Sequence, residues 1–281
     1  MRIAVILSCY NRKESTRECL NSLGKVLSVN QIDVFLTDDG STDGTSEMIT
    51  KEFPTVHLIN GDGKQFWSRG MYLSWKEALK GCYDFYLWLN DDIILYSNFM
   101  DELFNSLEKA GRNAIVSGLI ENEEKTEIIY GGYNKQKKMV QPSIMPSSIT
   151  YMNGNVVLVP KAVVNTIGII DPVYHHDLGD VDYGLRAMKA GFNVVATCNP
   201  VAYGYKNSYC RVREWNSSLS GRFKKLYNPL GSNPSINFYF RKKHFGILNA
   251  ISYWGYLHLI NVLPDRMINI LFGNRYVDER C

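Results

Sequence analysis

The sequence predicts an α/β fold with an open, mostly parallel mixed sheet flanked by helices, followed by a C-terminal helical segment. Three observations carry this prediction. Short apolar runs alternate with helix-spaced segments at βαβ intervals through roughly the first ninety residues. Two of those runs stop abruptly in acidic residues, as strands do where a sheet opens onto a crevice. After about residue 213 the composition turns aromatic and basic, which divides the chain into a domain over 1–213 and an extension over 214–281.

The elements follow in order. Residues 3–8 are a continuous apolar run, the pattern of a strand buried on both faces. Helical spacing over 15–23 leads to a second strand at 32–37, which runs into the turn-rich stretch from Asp38 to Gly44. A helix at 45–52, a strand at 56–60, a helix at 67–80 and a strand at 85–89 continue the alternation. Between residues 115 and 159 the pattern loosens into strand-like pieces separated by Gly131-Gly132, Pro142 and Pro146, with no regular helix; this reads as a mixed-sheet region. A helix carrying Asp182, Leu185, Arg186, Met188 and Lys189 then stops at Gly191, ahead of a strand at 194–196.

Bulk properties narrow the function. A chain of 281 residues, 45% hydrophobic and 21% charged, buries a sizeable core. The net charge of +3, with no long basic block in the first 200 residues, excludes a dedicated nucleic-acid binder. Cysteines 9, 19, 82, 198, 210 and 281 show neither CxxC pairs nor the dense spacing of a secreted scaffold, so six unpaired thiols in a reducing compartment are expected. The apolar run at 3–9 is too short for a signal-peptide core, and Asn249, His258 and Asn261 interrupt the stretch 245–263, so a cytoplasmic protein is expected.

Three constellations carry chemistry. The turn Asp38-Asp39-Gly40-Ser41-Thr42-Asp43-Gly44 follows a strand. A carboxylate there accepts hydrogen bonds from a pyrimidine imide or ribose hydroxyls, while the same residues also suit a helix N-cap. The run Leu87-Trp88-Leu89-Asn90-Asp91-Asp92 puts acidic residues at an apolar strand end, which is costly without a cation beside them. Hard divalent ions such as Mg²⁺ or Mn²⁺ take one or two carboxylates plus phosphate oxygens and waters, and Asn90 and Asp92 project alike from an extended chain. In His175-His176-Asp177-Leu178-Gly179-Asp180-Val181-Asp182, Asp180 is the candidate general base, although Asp180 or Asp182 equally suits a helix cap. The loop from Gly61 to Gly70 lacks the spacing of a dinucleotide fingerprint; its amides, with Lys64 or Arg69, suit a nucleotide or diphosphate, and Arg69 suits a surface ion pair as well.

In this order, the opening Val5-Ile6-Leu7-Ser8-Cys9-Tyr10-Asn11-Arg12, the Asp38–Gly44 turn, Asn90-Asp91-Asp92, and Gly179-Asp180-Val181-Asp182 with Leu185-Arg186-Ala187 resemble the family-2 inverting glycosyltransferases of GT-A fold. The resemblance covers about residues 1 to 210. It implies that Ser8, Tyr10 and Arg12 border the nucleotide, that Asp39 meets the base, that Asp92 ligates Mn²⁺ or Mg²⁺, and that Asp180 is the catalytic base; beside it, the residues themselves offer Asp91 and Arg69 as further donor-binding candidates. Asn90 stands where the family often has the first Asp of its DxD signature, and Gly179 where it usually has Glu. The stretch from Phe66 to Met71 and the run from Gly179 to Arg186 look like the bacterial surface-polysaccharide branch (capsule or lipopolysaccharide), rhamnosyltransferases included. The resemblance thus implies hexosyl or deoxyhexosyl transfer from a UDP- or dTDP-sugar to a glycan or lipid-linked acceptor, which the mixed-sheet region would face.

Residues 214–281, with Arg241-Lys242-Lys243-His244 among aromatics, suit peripheral contact with the inner face of the plasma membrane, and suit equally a helical extension packed on the domain or a homodimer contact. Two other classes compete. A sugar-nucleotide-forming nucleotidyltransferase needs a glycine-rich loop after the first strand, and Ser8 to Arg12 has no glycine. A non-catalytic nucleotide-sugar-binding subunit stays open on the strength of Asn90 and Gly179.

Overall fold

The computed structural model describes residues 1–24, 31–206 and 210–276. By internal contacts these form two compact units, Met1–Pro172 with Gly179–Lys206, and Val173–Leu178 with Asn207–Cys281.

The first unit is organised by one sheet. Its elements are β1 (Arg2–Cys9), α1 (Lys13–Gly24), β2 (Gln31–Asp38), α2 (Thr45–Glu52), β3 (His57–Asn60), α3 (Phe66–Ala78), β4 (Phe85–Leu89), β5 (Ile94–Leu95), α4 (Phe99–Ala110), β6 (Ile115–Asn122), β7 (Ile128–Tyr130), β8 (Gly132–Tyr133), β9 (Tyr151–Met152), β10 (Val156–Pro160), α5 (Lys161–Ile167), α6 (Gly179–Lys189) and β11 (Val194–Gly204). The sheet runs β3-β2-β1-β4-β10-β6-β11-β5, with β7 paired to β6. β1 pairs in parallel with both β2 and β4, so the chain changes direction of travel across the sheet beside β1, leaving a crevice at the carboxyl ends of β1 and β4. β10 enters antiparallel between β4 and β6, which makes the sheet mixed as the sequence predicts.

Residue alternation fills both faces. Ile3, Val5 and Leu7 of β1 pack with Leu20, Met48, Phe99 and Leu103 from α1, α2 and α4. Ala4 and Ile6 face the other way, toward Met71, Trp75, Val163 and Tyr183 from α3, α5 and α6. Two of these helices, α4 and α5, are absent from the sequence reading, although Phe99, Met100, Leu103 and Leu107 carry the spacing of an amphipathic helix. β11 also runs on past Ala196: register shifts around Pro200 absorb the proline, and Glu102 of α4 accepts from the Asn199 backbone N–H (3.1 Å) and side-chain Nδ2 (3.1 Å) there.

The second unit is helical: α7 (Leu219–Tyr227), α8 (Pro234–Phe245), α9 (Ile247–Val262) and α10 (Asp265–Phe272). Leu226, Leu257, Ile260, Ile268 and Tyr276 form its core. The buried Arg213 guanidinium donates to the carbonyls of Ile260 and Leu263 (the latter 2.9 Å) and pairs with Asp265, satisfying carbonyls left open where α9 ends. Cys9, Cys19, Cys82 and Cys198 are free thiols, but Cys210 is disulfide-bonded, contrary to the expectation of six unpaired cysteines; Cys281 lies outside the described residues.

Candidate functional site

The crevice at the carboxyl ends of β1, β2 and β4 gathers most of the expected site residues. Asp38 ends β2, Asp39 follows it, and both are buried. Asp38 accepts from the Ser41 N–H at 3.0 Å and from the Ser46 hydroxyl, which closes the turn. Asp39 accepts from three backbone amides of the following loop: Gly63 (2.9 Å), Gln65 (2.9 Å) and Phe66 (2.8 Å). Both of its oxygens are occupied in this way, so a base contact at Asp39 competes with the loop that Asp39 folds. Asp43 accepts from the Lys13 N–H (3.0 Å) and the Thr45 N–H (3.1 Å), serving the starts of α1 and α2 at once; hydrogen bonding from Thr45 lowers its pKa.

Asn11 ties the two loops together. Its N–H donates to Ser41 Oγ at 2.8 Å and its Oδ1 accepts from the Thr42 N–H at 2.7 Å. Ser8 is buried against α3, where a Cβ on Gly70 would come within 2.0 Å of its hydroxyl. Tyr10, by contrast, is 53% exposed beyond the end of β1.

The end of β4 is wired differently. Arg12 Nη1 donates to Asp92 Oδ2 at 2.6 Å and to Asp91 Oδ1 at 3.2 Å, so one cation bridges both carboxylates. Asp91 is buried, and its Oδ2 has no hydrogen-bond partner. Burial pushes the Asp91 carboxyl up to about 7, with Arg12 pulling the other way. Burial works to lower the Arg12 pKa, yet Asp91 and then Asp92 leave it raised.

These features bear on the divalent metal that the resemblance implies. Two carboxylates converge on one positive charge, one oxygen is buried without a partner, and all the donors are hard oxygens; Asp91 and Asp92 therefore fit Mg²⁺ or Mn²⁺. Among the described residues no group of three or more His, Cys, Asp or Glu is arranged to hold an ion. A metal that takes much of its coordination from phosphate and water does not require one. Asn90 does not join them. Its Oδ1 accepts from Trp67 Nε1 at 2.7 Å, its Nδ2 donates to Asn155, and its backbone N–H bonds the Asn155 carbonyl at 2.8 Å.

Trp67 extends the site to α6. A Cβ on Gly154 would come within 2.5 Å of the Trp67 ring and 3.1 Å of Asp180 Cβ, so Gly154 lies close against both side chains. Asp180 accepts from the Gly154 N–H (3.0 Å) and from the Val181 N–H (2.8 Å), which orients its carboxylate at the first turn of α6. Asp182, two residues further on, is spent elsewhere: fully buried, it accepts from Arg186 Nε at 2.8 Å, while Arg186 also donates to the Ile167 and Ile169 carbonyls. The missing Glu at Gly179 has a steric reason, because a Cβ there would sit 2.5 Å from Ser68 Oγ. Arg69 donates to the Pro172 carbonyl at 3.0 Å. Sequence reasoning missed Trp67 as a bridge and the Asn153-Gly154-Asn155 run; the signal available was a turn-forming trio directly before the apolar run 156–160.

Residues 4–162 match the model of glycosyl transferase family 2. No curated protein matches the sequence. Among solved structures, a mannosyltransferase (PcManGT) from Pyrobaculum calidifontis, in complex with GDP-Man and Mn²⁺, is similar at 14% identity over 92% of this chain and 70% of that one, with a TM-score of 0.58. S. aureus TarS is similar at 13% identity over 97% of this chain and 46% of that one, with a TM-score of 0.57. TarS 1–349 in complex with UDP-GlcNAc gives 16% identity over 93% and 80%, with a TM-score of 0.53. The sheet topology and these likenesses together make the first unit a GT-A fold.

Proposed function

Given that the chain belongs to glycosyltransferase family 2, we propose that it transfers a sugar with inversion from a nucleoside-diphosphate donor, a UDP- or dTDP-sugar, to a glycan or lipid-linked acceptor. In this reading the transfer serves bacterial surface-polysaccharide synthesis in the cytoplasm. The observation that carries it is the Asp91–Arg12–Asp92 cluster at the β1/β4 crevice: a buried and a half-buried carboxylate held to one cation, where a diphosphate with its divalent ion would arrive. The solved relatives' complexes with GDP-Man and Mn²⁺ and with UDP-GlcNAc support a nucleotide sugar and a metal of this kind.

The residues divide the work. Asp92 and Asp91 would hold the ion, which when bound neutralises the diphosphate as it leaves. Arg12, displaced from the carboxylates, would turn to the diphosphate, and Asp39 would shape the base site through the 61–66 loop that it folds. Tyr10 and Ser8 border the nucleotide from the end of β1, and Arg69 from α3. Asp180 accepts the proton of the attacking acceptor hydroxyl. The new bond forms from that oxygen to the anomeric carbon as the bond from the anomeric carbon to the diphosphate breaks, with the electron pair leaving on the diphosphate. Two amide hydrogen bonds orient Asp180 for this, whereas Asp182 is committed to Arg186. An Asp180→Asn protein loses one of the two amide acceptors, so it is expected to fold at a cost of about 1 to 2 kcal/mol and to keep donor affinity while transfer falls by about 10²- to 10⁴-fold. Near-normal transfer by a folded, donor-binding Asp180→Asn protein would remove Asp180 from this role.

A further inference from the structure

The second unit carries a feature that sugar transfer does not use. Along α9, Leu248, Ile251, Leu259 and Val262 are all exposed, Leu248 at 80%. Their spacing, with Gly255 between them, follows a single face of the helix. At Gly255 an added Cβ would meet nothing within 4 Å, so the middle of that face is open. α10 repeats the arrangement: Ile268 is buried, while Ile270 (75% exposed) and Leu271 (59%) are not. An apolar face of this kind on a soluble unit marks a surface that something covers.

Charge selects the occupant. Residues 207–281 hold eleven Lys and Arg against four Asp and Glu, whereas residues 1–206 hold 20 against 24. Lys224, Lys242 and Arg266 of this unit are exposed. A second copy would bring the same positive charge to the face, while an anionic surface would bring its complement. The exposed Trp254 in α9 is an aromatic of the type that settles at headgroup level. Length sets the mode of contact. The 16 residues of α9 extend about 24 Å at about 1.5 Å each, short of the roughly 30 Å hydrocarbon core, and among the described residues no helix is long and apolar enough to cross a membrane.

We propose that α9 and α10 form an interfacial docking surface for anionic phospholipid, with Leu248, Ile251, Leu259, Val262, Ile270 and Leu271 entering the acyl boundary and the unit's Lys and Arg side chains meeting the headgroups. This rests on the second unit alone and holds whatever reaction the first unit performs.

The test is co-sedimentation of the full-length protein with vesicles of phosphatidylcholine alone or mixed with phosphatidylglycerol. The protein is expected to sediment with the mixed vesicles about tenfold more than with neutral ones, and to be released by roughly 0.5 M salt. Leu248→Glu with Ile270→Glu replaces two exposed side chains, so the melting temperature should hold while vesicle binding falls by about tenfold or more. Three results would overturn the proposal: equal sedimentation with both vesicle types or with neither; a double variant that binds as the wild type does, which would reduce the contact to charge alone; or a wild-type dimer in light scattering that the same pair of substitutions abolishes, which would make a second copy the occupant.

Discussion

The carboxyl ends of β2 and β4 look alike in sequence, each an apolar strand closing in two adjacent aspartates, yet they are built to opposite ends. At β2, Asp38 and Asp39 are enclosed by hydrogen-bond donors from their own turn and from the 61–66 loop. At β4, Asp91 and Asp92 share one arginine, and an Asp91 oxygen is buried with no partner. A carboxylate saturated by backbone amides is architecture, because those donors cannot leave without unfolding the loop. A carboxylate held by a mobile side chain can exchange that charge for another. For these two acidic pairs, the difference teaches that partner type separates the pair that folds a loop from the pair that can receive an ion.

The largest expected effect breaks the β2 end. Asp39→Ala removes the acceptor of three loop amides and should cost about 4.5 kcal/mol of stability, taking a charged hydrogen bond at roughly 1.5 kcal/mol each. Denaturant unfolding checks this; a cost below about 1 kcal/mol would mean that the loop does not depend on Asp39.

The β4 end should respond with the opposite sign. The Asp91 carboxyl ionises near 3.8 in the unfolded chain and at about 7 when folded, so between those values the folded state binds more protons. Stability contributed by the protonated form is therefore present at low pH and lost as pH rises toward 7. Asp91→Asn mimics that form and should stabilise the metal-free protein by roughly 4 kcal/mol at pH 8 and by only about 1 kcal/mol at pH 4 to 5. Melting curves at the two pH values, with no gain at pH 8, would show Asp91 to be as well satisfied as Asp39.

A smaller effect sharpens the boundary between the two kinds of site. Trp67→Phe deletes the indole N–H that Asn90 Oδ1 accepts and should cost about 1 to 2 kcal/mol with no change in Mn²⁺ dependence. A changed Mn²⁺ dependence in nucleotide titrations would return Asn90 to the ligand set.

Much of this was readable in advance. The strand at 85–89 and the helix at 45–52 come out at their observed limits, because abrupt switches from apolar to polar residues mark both. What eluded the sequence was the choice among equivalent carboxylates. Asp180 and Asp182 both suit a helix start, and only Arg186 reaching back one turn, with the 167–169 carbonyls held in its fork, assigns Asp182 to structure. Asn90 reads as a weakened ligand until Trp67 and Asn155, distant in sequence, are seen to occupy its amide. Such assignments depend on contacts across 17 to 65 positions, which local pattern does not carry.

The central claim is that Asp91 and Asp92 receive a metal-bound diphosphate, and calorimetric titration of the diphosphates of uridine, thymidine and guanosine, with and without Mn²⁺, tests it most directly. The wild type should bind at least one of them at least about tenfold more tightly with Mn²⁺, and Asp92→Asn should lose that gain at an unchanged melting temperature. Binding that ignores Mn²⁺, or an Asp92→Asn protein that keeps the full metal-dependent gain, would contradict the account.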